Sequence, residues 1–315
     1  MKTQGHSLNL NQDFNFFIGL DQTGAVLEGG LRAKPLPVAF LDARAARPKL
    51  IATSSSEKGA TPKPLKLTTF SKESLLQLLA SQQVKLAEQT LASSQTAILA
   101  DAVFGLPQDV WPNFKTLRSF FEEAASETET RKGYGLKPAA DFFSKILNDA
   151  NRNSLNSMPY PVRDCETLAN ANSVFRTHPF QKNIQCGTYR FWRDLGLYGS
   201  EWIHFRYFER AKDFRLDRPL LFEAYPSLIW REALSLRTRD RTKVREALKL
   251  FGDVEISEQD VDLMERDADH ADACILALGG YWLAKHDKLI TGGSSTDLKL
   301  SKEGWIAGLS RPAST

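Results

Sequence analysis

Phe16-Phe17-Ile18-Gly19-Leu20-Asp21-Gln22-Thr23-Gly24 is the stretch on which the fold turns. Five apolar or small residues run without a polar break, then meet an acid and a turn signal. A run of this length with aromatics reads as a strand buried on both faces. Two more segments share the pattern. Thr96 to Ala100 ends on Asp101, and Pro219 to Ala224 carries Glu223 after Leu220-Leu221-Phe222. A fourth acid, Asp272, stands with Asp269 at the head of Ala273-Cys274-Ile275-Leu276-Ala277-Leu278. A carboxylate beside a buried segment is costly unless it is paired, hydrogen-bonded or bound to a metal. Three strand ends and one helix delivering carboxylates suggest a single acidic pocket, suited to a hard divalent cation such as magnesium.

The elements around these segments alternate. Leu36–Leu41 and Lys49–Thr53 are strand candidates that form an antiparallel meander with the first. Ser54–Lys66 is rich in Ser, Pro, Gly and Lys and reads as a loop. A helix begins near Ser71, its N-cap, with Glu73 in the first turn. Helices are expected near 114–125 and 139–148, at 227–235 and at 242–250. The last long helix spans 257–286, with a break near Asp267, and a short strand is expected at 305–309. Long connections separate the strands ending at Asp21, Asp101 and Glu223, so those strands are expected to be parallel. The fold class is α/β with a mixed sheet, and its functional crevice lies at the carboxyl ends of the strands.

Composition narrows the alternatives. The chain has 315 residues and a formal net charge of +3, too near balance to name a polyanionic partner by itself. Its three cysteines show no metal-ligand or disulfide spacing, and a reducing cytoplasm is the expected compartment. Met1 to Asn15 lacks the apolar core of a secretory signal. No segment approaches the roughly 20 apolar residues that cross a bilayer, so no membrane role is expected.

Four motifs in order resemble a known family: Gly19-Leu20-Asp21, Asp101-Ala102-Val103-Phe104-Gly105-Leu106-Pro107, Glu223-Ala224-Tyr225-Pro226 and Asp269-His270-Ala271-Asp272-Ala273. Together with the late Glu303-Gly304-Trp305-Ile306 they are similar to the predicted RNase H-like nucleases catalogued as domain of unknown function 429. The last helix looks like that of RuvC-type junction resolvases. Val103 stands where that family often has proline. The resemblance implies an RNase H-like mixed five-stranded sheet flanked by helices. Residues 1–107 and 216–315 would form one core, and 108–215 a mostly helical insertion. It implies a divalent-metal-dependent nuclease, using magnesium or manganese on DNA or RNA. Asp21, Asp101, Glu223 and Asp272 would be catalytic. Asp21, Asp101, Asp269 and Asp272 would hold metal, with Asp21 bridging two ions.

Other roles stand beside these. Asp21 and Asp101 also suit turn carboxylates that accept backbone N–H groups. Glu223 also suits a pair with an arginine, and Asp269 an N-cap. His270 lies between the two aspartates on a different face of the helix and reads as structural or exposed. Gly279-Gly280 reads as a close helix–sheet contact. Arg190 and Arg193 alternate with aromatics, an arrangement for stacking single-stranded bases or for core packing. Arg239 and Arg241 belong to a basic stretch that would track phosphates, unless its interspersed acids make it a solvated face. The alternative function is a non-catalytic nucleic-acid-binding module on the same fold. A sugar-kinase-like phosphotransferase would need duplicated halves and Gly-rich phosphate loops, which the sequence lacks.

Overall fold

The computed structural model describes residues 14–22, 26–27, 32–54, 62–111, 115–131, 136–150, 160–176, 183–206, 208, 217–233, 241–290 and 300–309. The strands are β1 (Phe16–Leu20), β2 (Val26–Leu27), β3 (Arg32–Ala33), β4 (Leu36–Asp42), β5 (Lys49–Ile51), β6 (Lys66–Leu67), β7 (Thr96–Ala100), β8 (His204–Phe205) and β9 (Leu220–Glu223). The helices are α1 (Lys72–Ser81), α2 (Ala87–Leu91), α3 (Leu117–Arg131), α4 (Leu136–Asp149), α5 (Asp164–Ala169), α6 (Asn183–Tyr198), α7 (Pro226–Glu232), α8 (Val244–Ala247), α9 (Glu258–Arg266), α10 (Ala268–Lys285) and α11 (Leu300–Glu303).

Strand β1 lies inside a mixed sheet of order β5-β4-β1-β7-β9-β8, with β6 also paired to β4. The meander is present: β1 and β4, and β4 and β5, pair antiparallel. Beyond β1 the pairing turns parallel, through β7, β9 and β8. The sheet is wider than the five strands expected, because the short β6 and β8 extend it. Strands β2 and β3 form a separate ribbon.

Strands β1, β4, β7 and β9 are buried on both faces, and their residues alternate between two cores. Ile18, Leu20, Ile98, Ala100 and Leu221 join the core built with α3, α4 and α6. Phe17, Leu99, Leu220 and Phe222 join the core built with α7 and α10. Part of the 108–215 segment joins that core: Phe121 meets Phe205 of β8, and Phe120, Phe142 and Phe143 pack on Trp192 of α6. Helix α6 was not expected from the sequence.

Helix caps follow local chemistry. The Ser71 hydroxyl accepts from Ser74 N (3.1 Å) to start α1. The expected break of the last helix is real. Asp267 ends α9 and caps α10, accepting from Asp269 N (3.0 Å) and His270 N (3.2 Å). Asp267, not Asp269, is thus the N-cap. Helix α10 is apolar all round because it is buried all round, from Ala271 to Gly280. At Gly280 a Cβ would stand 2.5 Å from Leu99 Cδ1, so the glycine permits close helix–sheet approach. The strand expected at 305–309 is only a bridge between Ile306 and Glu223, followed by a turn.

Candidate functional site

The four acids reach the same end of the sheet by different routes. Leu20 pairs with Ala100, and Ala100 with Glu223. Asp101 N donates to Leu20 O (2.9 Å), so Asp21 and Asp101 leave adjacent parallel strands side by side. Helix α10 crosses β1 at Gly19. A Cβ there would lie 2.0 Å from Ala273 O and 2.7 Å from Ala277 N, so only glycine lets the helix approach this closely. Asp272 precedes Ala273 and Asp21 follows Gly19 by two, so the helix brings one acid over the strand end that carries the other. Asp21 and Asp272 are each only 3% exposed. Asp272 Oδ1 accepts from the buried indole Nε1 of Trp230 (3.0 Å).

Register separates Glu223 from this group. Glu223 is level with Ala100 and Leu20, whose side chains face the α6 core. The next residues, Asp21 and Asp101, fall on the α10 side by the two-residue alternation. Glu223 is taken up by Arg163. Nη1 donates to Oε2 (2.8 Å), Nη2 donates to Oε1, and Phe104 N adds a bond to Oε2 (3.0 Å). Arg163 also bonds Glu166 through Nε (3.0 Å) and Glu303 O through Nη1 (2.8 Å). Burial works against the charged guanidinium, yet Cys165, Glu166 and Glu223 beside it hold the Arg163 pKa well above its ordinary value, while burial raises that of Glu166. Glu303 holds the other side of the knot, accepting from Gln108 N (3.1 Å) and Asp164 N (3.2 Å). The motif around Gly105 is therefore structural. A Cβ on Gly105 would stand 1.8 Å from Glu303 O. Arg163 gave no sequence signal; Glu303 was visible only as part of a terminal motif.

Asp269 forms an ion pair with Lys34 (2.9 Å), a residue that sequence reasoning did not single out. That hydrogen bond, ahead of the charges of Asp269, Asp267 and Asp21, holds the Lys34 ammonium above its ordinary pKa, against its partial burial. His270 is buried beside Asp267 (2.9 Å), and burial pulls its pKa down, in keeping with a structural histidine.

A narrow cleft of about 30 Å³ opens between the two groups of acids, lined by Gln22, Asp101, Arg163, Asn172, Glu223 and Tyr225. It has room for no more than a few waters. Among the described residues, no three His, Cys, Asp or Glu side chains stand in an arrangement that would hold a metal ion.

Two of the four arginines expected to meet nucleic acid, Arg190 and Arg193, do not present themselves to one. Arg190 is 3% exposed and donates to Lys34 O and to Thr68 O (2.7 Å). Arg193 is 1% exposed and bonds Asp194, whose other oxygen accepts from Phe70 N (2.9 Å). The interleaved Tyr189, Phe191 and Trp192 are core residues. These two arginines are internal ties of α6, which corrects the expectation. Arg239 lies outside the described residues, as does the Arg241 side chain, whose backbone starts a 3-10 turn at Arg241–Lys243. Among the described residues, no helix is long and apolar enough to cross a membrane.

Comparison with protein-family models, with curated proteins and with solved structures finds no match to this chain.

Proposed function

We propose that this chain is a divalent-cation-dependent nuclease on an RNase H-like sheet, with Asp21, Asp101 and Asp272 as its working acids. One observation carries the reading: α10 touches β1 at Gly19, with Ala273 O in the place of a side chain, which sets the helix that bears Asp272 against the strand that ends at Asp21. The antiparallel meander on one side of β1 and parallel strands on the other support the same reading.

By type, the oxygens of Asp21, Asp101 and Asp272 are donors that magnesium or manganese takes, while among the described residues no three such groups stand as a formed metal site. Asp21 and Asp272 are hard oxygen donors withdrawn from water. When bound, such an ion would polarise a phosphoryl oxygen and acidify a water. The protein's own part is positioning. The Trp230 N–H fixes one oxygen of Asp272, and the backbone bond from Asp101 N to Leu20 O holds two strand ends in register. The burial of Asp21 and Asp272 excludes bulk water and strengthens charge interactions there. Asp21 and Asp101 are the bases available to take a proton from an attacking water. Glu223 has no part in this reading, because Arg163 holds both its oxygens.

The test is cleavage by the purified full chain, with magnesium or manganese, of labelled single- and double-stranded DNA, RNA, hybrid and branched substrates. Divalent-dependent cleavage lost in Asp21→Asn and Asp272→Asn, with unchanged circular dichroism, is the expected result. No cleavage across the panel, or full activity in both variants, overturns the reading. Binding without cleavage moves it to a non-catalytic nucleic-acid module.

A further inference from the structure

We infer that a pocket at the other end of the sheet binds a small apolar anion of the medium-chain carboxylate type. The pocket encloses about 300 Å³ between the bend before β5, the turn after α8 and the start of α9. That volume is at the lower end of the range for small-molecule sites. It stands apart from the acids proposed above. Its wall at Glu255 is bridged to Lys49, Lys49 pairs with Asp42, and Asp42 pairs with Phe16, the residue of β1 farthest from Asp21. The walls are fixed before any ligand arrives. Leu50 N donates to Glu255 O (2.9 Å), and Glu255 N donates to Pro48 O (2.7 Å). Asp260 ties α9 to the same sheet edge, accepting from Ala52 N (3.2 Å) and Thr53 Oγ1 (3.0 Å).

The lining names the ligand class. Leu248, Phe251, Val254 and Val261, at the outer edge of the core built with α10, make an apolar floor. Three cations and two acids stand around it, and both acids are already paired. Glu258 is held by Arg245 (2.7 Å), which Asp262 and Glu265 also engage, and Glu255 faces Lys49 (3.5 Å). Arg47 and Lys249 are exposed and have no acidic partner among the described residues. An apolar floor beside two unanswered cations suits a ligand with an apolar body and an anionic head. Gly252 adds a second sign. Its φ of −62° and ψ of −16° suit any residue, and among the described residues a Cβ there would meet only Lys249 O, at 3.4 Å. Neither backbone nor packing demands a glycine, and the side chain it lacks leaves room in the pocket wall. A protein partner would need roughly 800 Å² of contact, more than the mouth of such a pocket offers.

The experiment is calorimetric titration of the full chain with octanoate, octanol and octyltrimethylammonium, which share a chain and differ in charge. Saturable binding of octanoate is expected, with octanol about tenfold weaker, the factor that one screened charge contact supplies, and the cation weaker still. Arg47→Met combined with Lys249→Met should lower octanoate affinity at least about tenfold. Both side chains are exposed, so the fold should be unchanged by circular dichroism. Gly252→Leu fills the pocket and should abolish the binding of octanoate and octanol alike. No saturable binding of octanoate by wild type overturns the inference. So does an affinity unchanged in the Arg47→Met, Lys249→Met variant, a cation that binds as tightly as octanoate, or full binding by a folded Gly252→Leu. If octanoate fails where an acidic peptide with a central phenylalanine binds, the pocket serves a protein partner and the inference is overturned.

Discussion

Arg163 grips Glu223 through two hydrogen bonds with both side chains withdrawn from water, so the third strand-end acid is a structural charge. Removing one partner of a buried pair leaves the other uncompensated, at a cost of about 3–5 kcal/mol, whereas replacing both with apolar groups is often neutral. Arg163→Met is therefore expected to lose stability on that scale in urea unfolding. Arg163→Met combined with Glu223→Leu should recover part of it, because Glu166 still loses its buried guanidinium partner. Glu223→Gln should leave manganese binding intact. A weakened manganese affinity in Glu223→Gln, with the fold preserved, would return Glu223 to the site.

Trp230 is expected to be coupled energetically to Asp272. The indole N–H is the donor on Oδ1, and both groups are buried. Trp230→Phe removes that donor, at about 1–3 kcal/mol for the orphaned oxygen, with a further cost for lost volume. A double-mutant cycle with Asp272→Ala, which removes the acceptor, should show a coupling of about 0.5–3 kcal/mol, as for residues in one hydrogen-bonded unit. Additive unfolding energies would show that the bond does not orient Asp272.

The fold was legible where local chemistry and burial agree. The Phe16–Leu20 and Thr96–Ala100 runs are apolar without alternation because helices cover both faces. The break at Asp267 was legible because an aspartate is a good N-cap. Helix α6 was not, because it buries Arg190, Arg193 and Asp194, which read as surface residues. Two of its glycines also look unhelical, yet each seats a neighbour. Gly187 makes room for the Gln22 amide and Gly196 for Phe121 O. Glu223 follows the same kind of apolar run as Asp21 and Asp101, and of its two expected roles the arginine pair is the one present. The difference is one residue of register, which depends on the partner strand. Lys34 and Arg163 find partners 235 and 60 residues away, and such pairings leave no trace in spacing.

The far end of α10 has its own charge anchor, with a pH signature. Asp253 accepts from Lys285 (2.7 Å) and Tyr281 OH (2.8 Å), and the Lys285 bond, only partly offset by burial, holds its carboxyl below the ordinary range. A depressed folded pKa gives stability that is full above the unfolded value of about 3.9 and is lost as pH falls through the folded value. Carboxyl carbon titration should find Asp253 ionising below that value in wild type. In Lys285→Met the midpoint should rise toward it. An unchanged midpoint would mean that solvent screens the contact.

Gly19 and Gly280 both lie where α10 meets the sheet, but alanine should affect them very differently. At Gly19 the new Cβ meets the backbone of the helix, Ala273 O at 2.0 Å and Ala277 N at 2.7 Å, and neither atom can rotate aside. Overpacking against fixed atoms costs about 1–3 kcal/mol or more and moves the elements apart. At Gly280 the nearest atom is Leu99 Cδ1 at 2.5 Å, a side-chain end that can yield, and alanine gains about 1 kcal/mol of helix propensity over glycine. Gly19→Ala should be clearly destabilised in urea while Gly280→Ala stays close to wild type. Because the forced shift falls between Gly19 and Ala273, it separates Asp21 from Asp272. Gly19→Ala should accordingly lose manganese affinity even under conditions where it is fully folded. If it folds and binds the ion as wild type does, the close crossing of α10 over β1 is not what assembles the acids.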